Sequence, residues 1–548
     1  MPDPLFDAKL AIRALHSLAT TGLLHPVRPD RFVRMALAPA QLGIGAATIV
    51  ALGAARHPDH PAVIDERGTL TYGELNRRAG HAAARLRGGF GVGPGRALGV
   101  MCRNHRGFLE GLLAGSRCGA DVLLLNTDFA GPQLVEVVKR EGPSVLIHDA
   151  EYSSALERAG FEVQRIVAWQ DGDAAVPTLG GDAAVPTLDG LIERGGRPPW
   201  NLHPSRFVLL TSGTTGTPKG APRSPSPRAL LGPWIALASQ VPLRAREPML
   251  IAPPLFHGFG FAYLMLGLAL GATLVIRRRF DPDAALDDLE RHRIRTLVAV
   301  PVMHQRILRA LRSRGHARPS STLRVLISAA APLSPVLAED LMEAFGDVLY
   351  NIYGTTETGF GAIAGPGDLR AAPGTVGRPP PGTELEILDD AGRELPTGET
   401  GHVFVGGPLI FEGYSGGGSR EMVRDLMDTG DLGHLDEHDR LFIDGREDDM
   451  IVSGGENVFP AEVENLLRHH DGVDDAAVIG VDDEEFGQRL RAFVVPADGV
   501  QLSERALKDY VKENLARFKV PREVVFVDEV PRNPTGKVVR AQLPAPAS

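Results

Sequence analysis

The sequence is poor in cysteine, and its 548 residues include only Cys102 and Cys118. Two cysteines without metal-ligand spacing provide neither a disulfide framework nor a cysteine-rich zinc site, and they are typical of a protein from a reducing compartment. The start of the chain also lacks a basic segment followed by an apolar run. We therefore expect no signal peptide and a cytoplasmic location.

Long hydrophobic runs and an excess of positive charge are also missing. The longest apolar stretches, residues 42–55 and 259–276, are rich in glycine or alanine and are not convincing membrane spans. The formal net charge is −10, so a general nucleic-acid binder is not expected. Residues 1–55 mix apolar and basic positions; we favour docking of this segment on the protein body, and peripheral contact with the inner face of a membrane stays open.

The length of the chain exceeds what a single hydrophobic core supports, so two or more domains are expected. From residue 62 onward, short apolar runs alternate with helical patterns, which predicts layered α/β sheets with largely parallel strands. After Pro381 the pattern changes to short β-segments separated by glycine. The sequence predicts an α/β fold with an extension at 1–55, a large domain at 56–447 that ends in a β-rich segment, and a small α+β domain at 448–548.

The most informative segment is a loop rich in hydroxyls and glycine, Thr211-Ser-Gly-Thr-Thr-Gly-Thr-Pro-Lys-Gly220, which follows an apolar run at 207–210. The apolar run predicts a buried strand. Glycines let backbone N–H groups converge on an anion, hydroxyls donate to its oxygens, and Lys219 adds a positive charge. The loop is not a Walker A loop, because Lys219 follows proline and precedes glycine. Taken alone it predicts a polyphosphate site, with a plain surface turn as the alternative.

This loop resembles the phosphate-binding segment of the adenylate-forming superfamily, which comprises acyl-CoA synthetases, adenylation domains and luciferases. Further segments similar to motifs of that superfamily follow in order: Tyr-Gly-Thr-Thr-Glu at 353–357, Thr-Gly-Asp at 429–431, Gly-Arg-Glu-Asp at 445–448 and Pro-Thr-Gly-Lys at 534–537. The resemblance is greatest to bacterial long-chain fatty acyl-CoA synthetases, on the segments 256–260 and 453–460 and on the long N-terminal extension.

The resemblance implies an enzyme that uses ATP and Mg²⁺ to convert a carboxylic acid to acyl-AMP, and then transfers the acyl group to coenzyme A. AMP and pyrophosphate are released. The residues that it implies for binding ATP and AMP are Thr211, Ser212, Gly213, Thr214, Thr215, Gly216, Lys219, Tyr353, Gly354, Thr355, Asp431 and Arg446.

The catalytic residues implied by the resemblance are Lys537, Glu357, Thr356 and His257. Lys537 would bridge the carboxylate and the α-phosphate, where charge stabilisation matters most. Glu357 would hold Mg²⁺, because a hard cation prefers carboxylate and phosphate oxygens. Thr356 offers a hydroxyl to the α-phosphate, and His257 would orient the acid or gate its tunnel.

Nucleotide contacts are implied in the same way. Tyr353 offers an aromatic face to adenine, and Asp431 has an acceptor-only carboxylate suited to the ribose hydroxyls. Arg446 is expected to reach ribose or phosphate.

The thioester step is expected to involve a rotation of the small domain about Asp448. Lys537 would then leave the site, and Ser453, Gly454 and Gly455 would line the tunnel of the pantetheine arm. The acyl pocket implied by the resemblance consists of His257, Phe259, Ala329, Ala330 and Gly354. Ala329 stands where glycine is common in the superfamily, which leaves the width of the pocket open.

A medium- or long-chain fatty acid is the expected substrate, because the segment after His257 is apolar and offers no charged partner to a polar tail. An aryl or other acid is the alternative. An acyl-AMP ligase that loads a carrier protein is another, although residues 377–445 show no insertion before the hinge. A luciferase-like oxygenase also stays open, whereas the intact set of Glu357, Asp431 and Lys537 argues against an inactive adenylate-binding protein. Small molecules are the expected partners, without nucleic acid, and a homodimer stays open.

Overall fold

The computed structural model describes most of the chain: residues 19–23, 27–129, 131–160, 163–171, 185–211, 219–223, 237–315, 322–407, 410–411, 413–414, 419–453, 456–483, 487–497, 499–533 and 536–544. Seven predicted site residues lie outside these ranges, namely Ser212, Gly213, Thr214, Thr215, Gly216, Gly454 and Gly455.

The α-helices in chain order are α1 (Pro29–Leu42), α2 (Ala46–Arg56), α3 (Tyr72–Phe90), α4 (Arg106–Cys118), α5 (Gly131–Glu141), α6 (Ser153–Arg158), α7 (Leu188–Glu193), α8 (Gly258–Ala269), α9 (Pro282–Arg291), α10 (Pro301–Ser313), α11 (Pro335–Phe345), α12 (Pro366–Ala371), α13 (Pro460–Arg468) and α14 (Glu504–Asn514). None of the helices in the described ranges is both long and apolar enough to cross a bilayer.

The β-strands in chain order are β1 (Pro61–Asp65), β2 (Gly68–Thr71), β3 (Ala97–Met101), β4 (Asp121–Leu124), β5 (Pro143–Asp149), β6 (Gln164–Trp169), β7 (Phe207–Thr211), β8 (Lys219–Arg223), β9 (Met249–Ile251), β10 (Leu274–Ile276), β11 (Thr296–Ala299), β12 (Val325–Ala329), β13 (Leu349–Thr355), β14 (Gly359–Ala364), β15 (Glu384–Leu388), β16 (Gly401–Gly406), β17 (Met422–Val423), β18 (Leu426–Leu435), β19 (Leu441–Arg446), β20 (Ile451–Ser453), β21 (Glu456–Val458), β22 (Val473–Asp483), β23 (Gly487–Pro496) and β24 (Glu523–Phe526).

Two mostly parallel sheets form the body of the large unit. The eight-stranded sheet has the order β14-β13-β12-β11-β9-β10-β1-β2, with antiparallel strands at its two edges and parallel strands between them. The six-stranded sheet has the order β6-β5-β3-β4-β7-β8, in which only β8 is antiparallel. Central strands such as β11 and β12 are buried along their whole length, as expected of parallel strands covered on both faces.

Helices fill the space between the two sheets. Residues of α2, α3, α4 and α8 share one hydrophobic core with strands of both sheets. Tyr72, which begins α3, is fully buried, and its hydroxyl donates to the Ala272 carbonyl at 2.8 Å. Since α2 lies in this core, the last part of the predicted extension packs into the large unit.

A β-rich segment and a small unit complete the fold. Strands β15 to β19 form an antiparallel sheet with a core of its own. After the 3₁₀ turn Glu447–Asp449, strands β20 to β24 with α13 and α14 form the small unit, again around a separate core. The small unit contacts α10 of the large unit, where Gln305 Nε2 donates to the Asp474 carbonyl at 2.9 Å and Arg309 pairs with the Asp474 carboxylate.

Candidate active site

One wall of the candidate site is the edge pair β13–β14, which carries the predicted segment 353–357. Its backbone is unusually crowded at Gly354, where an added Cβ would lie 1.8 Å from the Gly359 carbonyl oxygen. Such a contact is impossible for any residue with a side chain, so the close approach of the two strands requires glycine here. Packing of the sheet is therefore sufficient to explain this glycine, which the sequence had suggested as a pocket residue.

The wall continues onto β18, where neighbouring hydroxyls hold the side chain of Asp431. It is 7% exposed, and its Oδ2 accepts a hydrogen bond of 2.7 Å from the Tyr353 hydroxyl. Its backbone N–H donates to Thr429 Oγ1, whose own hydroxyl donates to the Val403 carbonyl at 2.8 Å. The predicted adenine-binding Tyr353 thus also fixes the predicted ribose-binding carboxylate.

Arg446 approaches the same carboxylate from the neighbouring strand. Because β18 and β19 pair with Asp431 opposite Arg446, the guanidinium Nε lies 3.6 Å from Asp431 Oδ1. Within the described residues this buried Nε makes no hydrogen bond, and its contact with Asp431 is an ion pair at longer range. Burial raises the pKa of Asp431, and the Arg446 charge opposes that rise.

Glu357 is positioned by the turn that follows β13. Its backbone N–H donates to Thr355 Oγ1 at 3.2 Å, and the Thr355 and Thr358 hydroxyls are 3.0 Å apart. Tyr414, a residue that the sequence analysis did not single out, donates a hydrogen bond of 2.9 Å to Glu357 Oε1. The ordinary Gly-Tyr dipeptide at 413–414 gave no signal that could have found this contact.

Lys537 is presented by a tight turn of the small unit. Asn533 and Lys537 exchange hydrogen bonds through the two backbone N–H groups, and Gly536 adopts a left-handed φ of +82°. Arg532 braces this turn, since it donates to the Gly536 carbonyl at 2.9 Å and forms an ion pair with Asp475. The turn rests on the large unit, because a Cβ at Gly536 would lie 3.2 Å from Val302 Cγ1.

The Lys537 side chain joins the two units electrostatically. The side chain is exposed to the space between the large unit and the small unit, which we call the crevice. Enough protein surrounds it that desolvation lowers its pKa. The Arg446 charge lowers this pKa further, while Asp431, Glu357 and Asp449 raise it. The structure therefore brings together the predicted catalytic lysine, the predicted metal-binding carboxylate and the predicted ribose-binding carboxylate.

His257 lies at the N-terminus of α8, where its Nδ1 accepts a hydrogen bond from the Phe259 N–H at 3.4 Å. Burial, together with the nearby Lys537 charge, lowers the pKa of His257 to about 4. The imidazole is consequently neutral at physiological pH. A Cβ on the adjacent Gly258 would lie 3.9 Å from Thr356 Oγ1, so the predicted pair His257 and Thr356 border the same crevice.

The predicted acyl-pocket residue Ala329 ends the buried strand β12, and Ala330 follows directly after it. Ala330 has a φ of +70°, a conformation that costs a residue with a Cβ about 1 kcal/mol or more. The position where the superfamily commonly has glycine is Ala329, which lies in the strand and is 6% exposed. Phe259, 9% exposed, packs edge-on against Tyr263 at 5.3 Å in the main core.

Other predicted residues lie at the ends of strands. Thr211 and Lys219 are register partners across β7 and β8, so the phosphate-loop segment between them connects two antiparallel strands. Ser453 ends β20, where it pairs with Glu456 of β21 and with Gly487 of β23. Asp448 falls in the 3₁₀ turn that joins the β-rich segment to the small unit.

A cavity of about 320 Å³ opens next to the crevice, between α10 and the turn that carries Lys537. Its walls include Pro254 and Phe256, which precede His257, and Asn533 of the small unit. Guanidinium groups dominate the rest of the lining, from Arg103, Arg277, Arg278, Arg279, Arg306 and Arg532. This basic cavity was not predicted, because its arginines are scattered along the sequence.

A buried cluster of Cys102, His105 and Asp149 has donor atoms within 4.8 Å of one another. His105 Nε2 lies 2.7 Å from Asp149 Oδ1, and His105 Nδ1 accepts from the Gly107 N–H at 3.0 Å. Both ring nitrogens are therefore engaged in hydrogen bonds, and the cluster is a structural network that ties the N-terminus of α4 to the end of β5.

Two family models match the chain. The model described as AMP-binding enzyme matches residues 51–415, and the model described as AMP-binding enzyme C-terminal domain matches residues 462–537. The first match covers more than half of the 548 residues. The chain belongs to the AMP-binding enzyme family.

Similar proteins share most of their length with this chain. Feruloyl-CoA synthase of an Amycolatopsis species is 32% identical over 495 residues, which are 89% of this chain and 96% of the relative. The fatty acid–[acyl-carrier-protein] ligase ScoC of Streptomyces coeruleorubidus is 32% identical over 504 residues, 89% of this chain and 94% of the relative. The structure of o-succinylbenzoate CoA synthetase (MenE) from Bacillus subtilis with its acyl-adenylate intermediate OSB-AMP has a TM-score of 0.78 at 27% identity, over 91% of this chain and 98% of that one.

These similarities confirm the predicted α/β fold with a large N-terminal and a small C-terminal domain. At the level of the family they also confirm an AMP-forming acyl-CoA synthetase that uses ATP, Mg²⁺ and coenzyme A. The acids named for the similar proteins include aryl acids as well as fatty acids, so the fatty-acyl part of the prediction is not confirmed.

Proposed function

We propose that the protein activates an apolar carboxylic acid, with a medium- or long-chain fatty acid as the preferred substrate, to acyl-AMP and then to acyl-CoA. The observation that carries this proposal is the position of Lys537. A turn of the small unit holds its ammonium group within electrostatic reach of Glu357 and Asp431, which belong to the large unit.

In the first half-reaction, the acid carboxylate attacks the α-phosphorus of ATP and pyrophosphate leaves. In this proposal Lys537 neutralises negative charge on both reacting groups, which is the main catalytic demand of such a step. Asp431 accepts hydrogen bonds from the ribose, and the Arg446 guanidinium beside it donates to ribose or phosphate. The loop after Thr211 holds the leaving phosphates, together with Lys219.

Glu357 is the residue that we assign to Mg²⁺. A carboxylate next to the Thr355 and Thr356 hydroxyls offers the hard oxygen donors that this cation prefers. When bound, the cation neutralises phosphate charge. Tyr414, which donates to Glu357 Oε1, holds the carboxylate in one orientation.

In the second half-reaction, the small unit turns about Asp448 and Lys537 leaves the crevice. Ser453, Gly454 and Gly455 then line the path of the pantetheine arm. The basic cavity beside Phe256 supports coenzyme A as the acceptor, since clustered guanidinium groups bind phosphates well and five of its arginines belong to the large unit, which stays in place when Arg532 leaves with the turn. Five of its arginines already pair with carboxylates, whereas Arg306 has no ion pair within the described residues.

Support for an apolar acid comes from α8, which follows His257 and carries no charged side chain. Tyr263 and Leu264 of this helix are fully buried in the core, whereas Phe261, Met265 and Leu266 are half-buried. Only the half-buried residues can contribute to a pocket without repacking of the core. An aryl acid is the second candidate, favoured by the similarity to feruloyl-CoA synthase.

The experiment is a substrate panel from acetate to palmitate, with benzoate and ferulate included. Pyrophosphate release without coenzyme A measures adenylation, and thioester formation with coenzyme A measures the second step. We expect the specificity constant to rise from butyrate to decanoate by about fourfold per carbon, because each buried methylene contributes about 0.8 kcal/mol.

Preference for an aromatic acid over every fatty acid would replace the first candidate by the second. If acyl-AMP accumulates and coenzyme A is not consumed, the acceptor is wrong, and a carrier protein takes its place as in the ligase ScoC.

A further inference from the structure

Helix α1 turns an apolar face to solvent. Its exposed large side chains are Phe32, Val33 and Leu37, which are 64%, 57% and 48% exposed. With 3.6 residues per turn these positions share one side of the helix, and the exposed small residues Ala36 and Ala40 lie between them. The expected arrangement of a surface helix is the reverse, with the apolar side facing the core.

The other side of α1 is anchored to the protein. Ala38 and Leu42 are buried, and Arg31 donates to the Arg56 carbonyl at the end of α2 at 2.6 Å. The docking that we favoured for residues 1–55 therefore holds for one side of this helix, and the exposed apolar side needs another explanation.

A second segment extends the exposed surface. Trp200 and Leu202 are 69% and 68% exposed, and the Asn201 N–H between them donates to the Gln41 carbonyl near the end of α1 at 2.8 Å. We call the resulting surface the apolar platform; it comprises Phe32, Val33, Leu37, Ile44, Trp200 and Leu202. These are six of the ten large hydrophobic side chains that are exposed in the described part of the chain, so their clustering is not a random scatter.

Arginines border the apolar platform, although the whole chain carries a net charge of −10. Arg28 and Arg34 of the α1 region are 73% and 55% exposed, and both bond to Asp30. On the side of Trp200, the exposed Arg87 donates to the Trp200 carbonyl at 3.2 Å, and Arg197 is exposed as well. The border is thus cationic where the protein as a whole is anionic.

We propose that the apolar platform docks on the surface of an anionic lipid bilayer. An interfacial helix inserts apolar side chains into the boundary of the acyl chains while flanking arginines meet the lipid phosphates. Trp200 suits this level of a membrane, where indole rings accumulate. The cationic border is the reason for choosing lipid over a second copy of the chain, since two copies would bring like charges together.

Vesicle sedimentation tests the proposal with the full-length protein and no substrate, so the result does not depend on the proposed function. The lipids are phosphatidylcholine alone, and phosphatidylcholine with 30% phosphatidylglycerol (about one third anionic, as suits the charge argument). We expect binding to the anionic vesicles, and a loss of about tenfold or more in the double variant Phe32→Ser/Leu37→Ser, because two large apolar side chains no longer insert. The matched control is Phe518→Ser, which removes a large side chain 39% exposed on the small unit.

A second, independent test changes the positive charge at the border of the apolar platform. Arg28→Gln/Arg34→Gln should reduce binding to the anionic vesicles by about tenfold, and 0.5 M salt should have the same effect through screening.

Three results would overturn the proposal. The first is vesicle binding that is unchanged in the Phe32→Ser/Leu37→Ser variant. The second is a concentration-dependent dimer that this variant dissociates, which would make a second copy the occupant. The third is absence of binding of the unaltered protein to the anionic vesicles; a lower unfolding temperature of the variant would then mean that the chain covers the platform with its own residues.

Discussion

Asp431 and Lys537 face the same crevice, but the chain holds them in different ways. Asp431 lies on a central strand of an antiparallel sheet, nearly inaccessible to solvent and bonded to Tyr353. Lys537 lies on a turn of five residues, open to the crevice and braced mainly by Arg532. The wall is part of a folded core, whereas the turn is an attachment to it.

Under the proposed function, the difference corresponds to two separate tasks. A nucleotide that stays bound through both half-reactions needs a site that does not change, and a sheet provides one. A positive charge that is needed in only one half-reaction is better placed on an element that can move without disturbing a core. Substitutions on the wall should therefore alter nucleotide binding or folding, and substitutions on the turn should alter one chemical step.

The largest effect is expected for Lys537→Ala. Adenylation should fall by about 10²–10³, because the cation nearest the reacting groups is lost. The unfolding temperature should stay within 1 °C or so (roughly the effect of a neutral surface change), since the side chain is exposed. Acid-dependent pyrophosphate exchange measures the loss. Lys508→Ala, on α14, is the control, and similar rates in both variants would reject the role of Lys537.

Asp431→Asn should act on nucleotide binding. The amide keeps the shape of the side chain but accepts weaker hydrogen bonds, and loss of a charged hydrogen bond costs about 1.5–3 kcal/mol. We expect the KM for ATP to rise about tenfold to a hundredfold while the KM for the acid changes little. An equal rise in both constants would contradict a ribose-binding role.

Gly354→Ala tests the rigidity of the wall. An added Cβ would collide with the Gly359 carbonyl, and overpacking of this kind costs about 1–3 kcal/mol. Thermal or denaturant unfolding should report the loss. Gly88→Ala in α3 is the matched control, because a Cβ there meets no atom within 4 Å and should be neutral or slightly stabilising.

Arg532→Gln should loosen the turn without removing the lysine. The bonds to Asp475 and to the Gly536 carbonyl are lost or weakened, and we expect kcat for adenylation to fall by about threefold to tenfold. The thioester step, measured from supplied acyl-AMP, should be unchanged. Equal loss in both steps would mean that the turn does not act on adenylation alone.

The smallest expected effect concerns the pH dependence of adenylation, which tests the role of Lys537 on the turn. Lys537 must be protonated to act, and its lowered pKa means that adenylation is lost as pH rises, at a lower pH than for an ordinary lysine. His257, with a pKa of about 4, should give no inflection between pH 6 and about 8. In Lys537→Arg the alkaline loss should disappear, because guanidinium stays charged. An alkaline limb unchanged in this variant would assign it to another group.

The sequence predicted the layered α/β sheets and the strand before the loop at 211–220, because buried parallel strands are short apolar runs and the motifs are local. It could not reveal contacts between distant segments. Tyr414 reaches Glu357 across 57 positions, and Tyr353 reaches Asp431 across 78. For residues 1–55 the sequence favoured docking on the protein body and left membrane contact open, because a mix of apolar and basic positions does not say which side of α1 is covered.

The connection between the two units is short, and this limits how far the small unit can move from the large one. Only residues 447–450 separate the wall strand β19 from β20 of the small unit. Such a segment spans about 17 Å at most when fully extended, so the small unit cannot diffuse away from the crevice. A tether this short keeps Lys537 at a high effective concentration. In the proposed function, where the small unit turns about Asp448, the return of Lys537 after each turnover is a local reorientation, whose rate does not depend on how much protein is present.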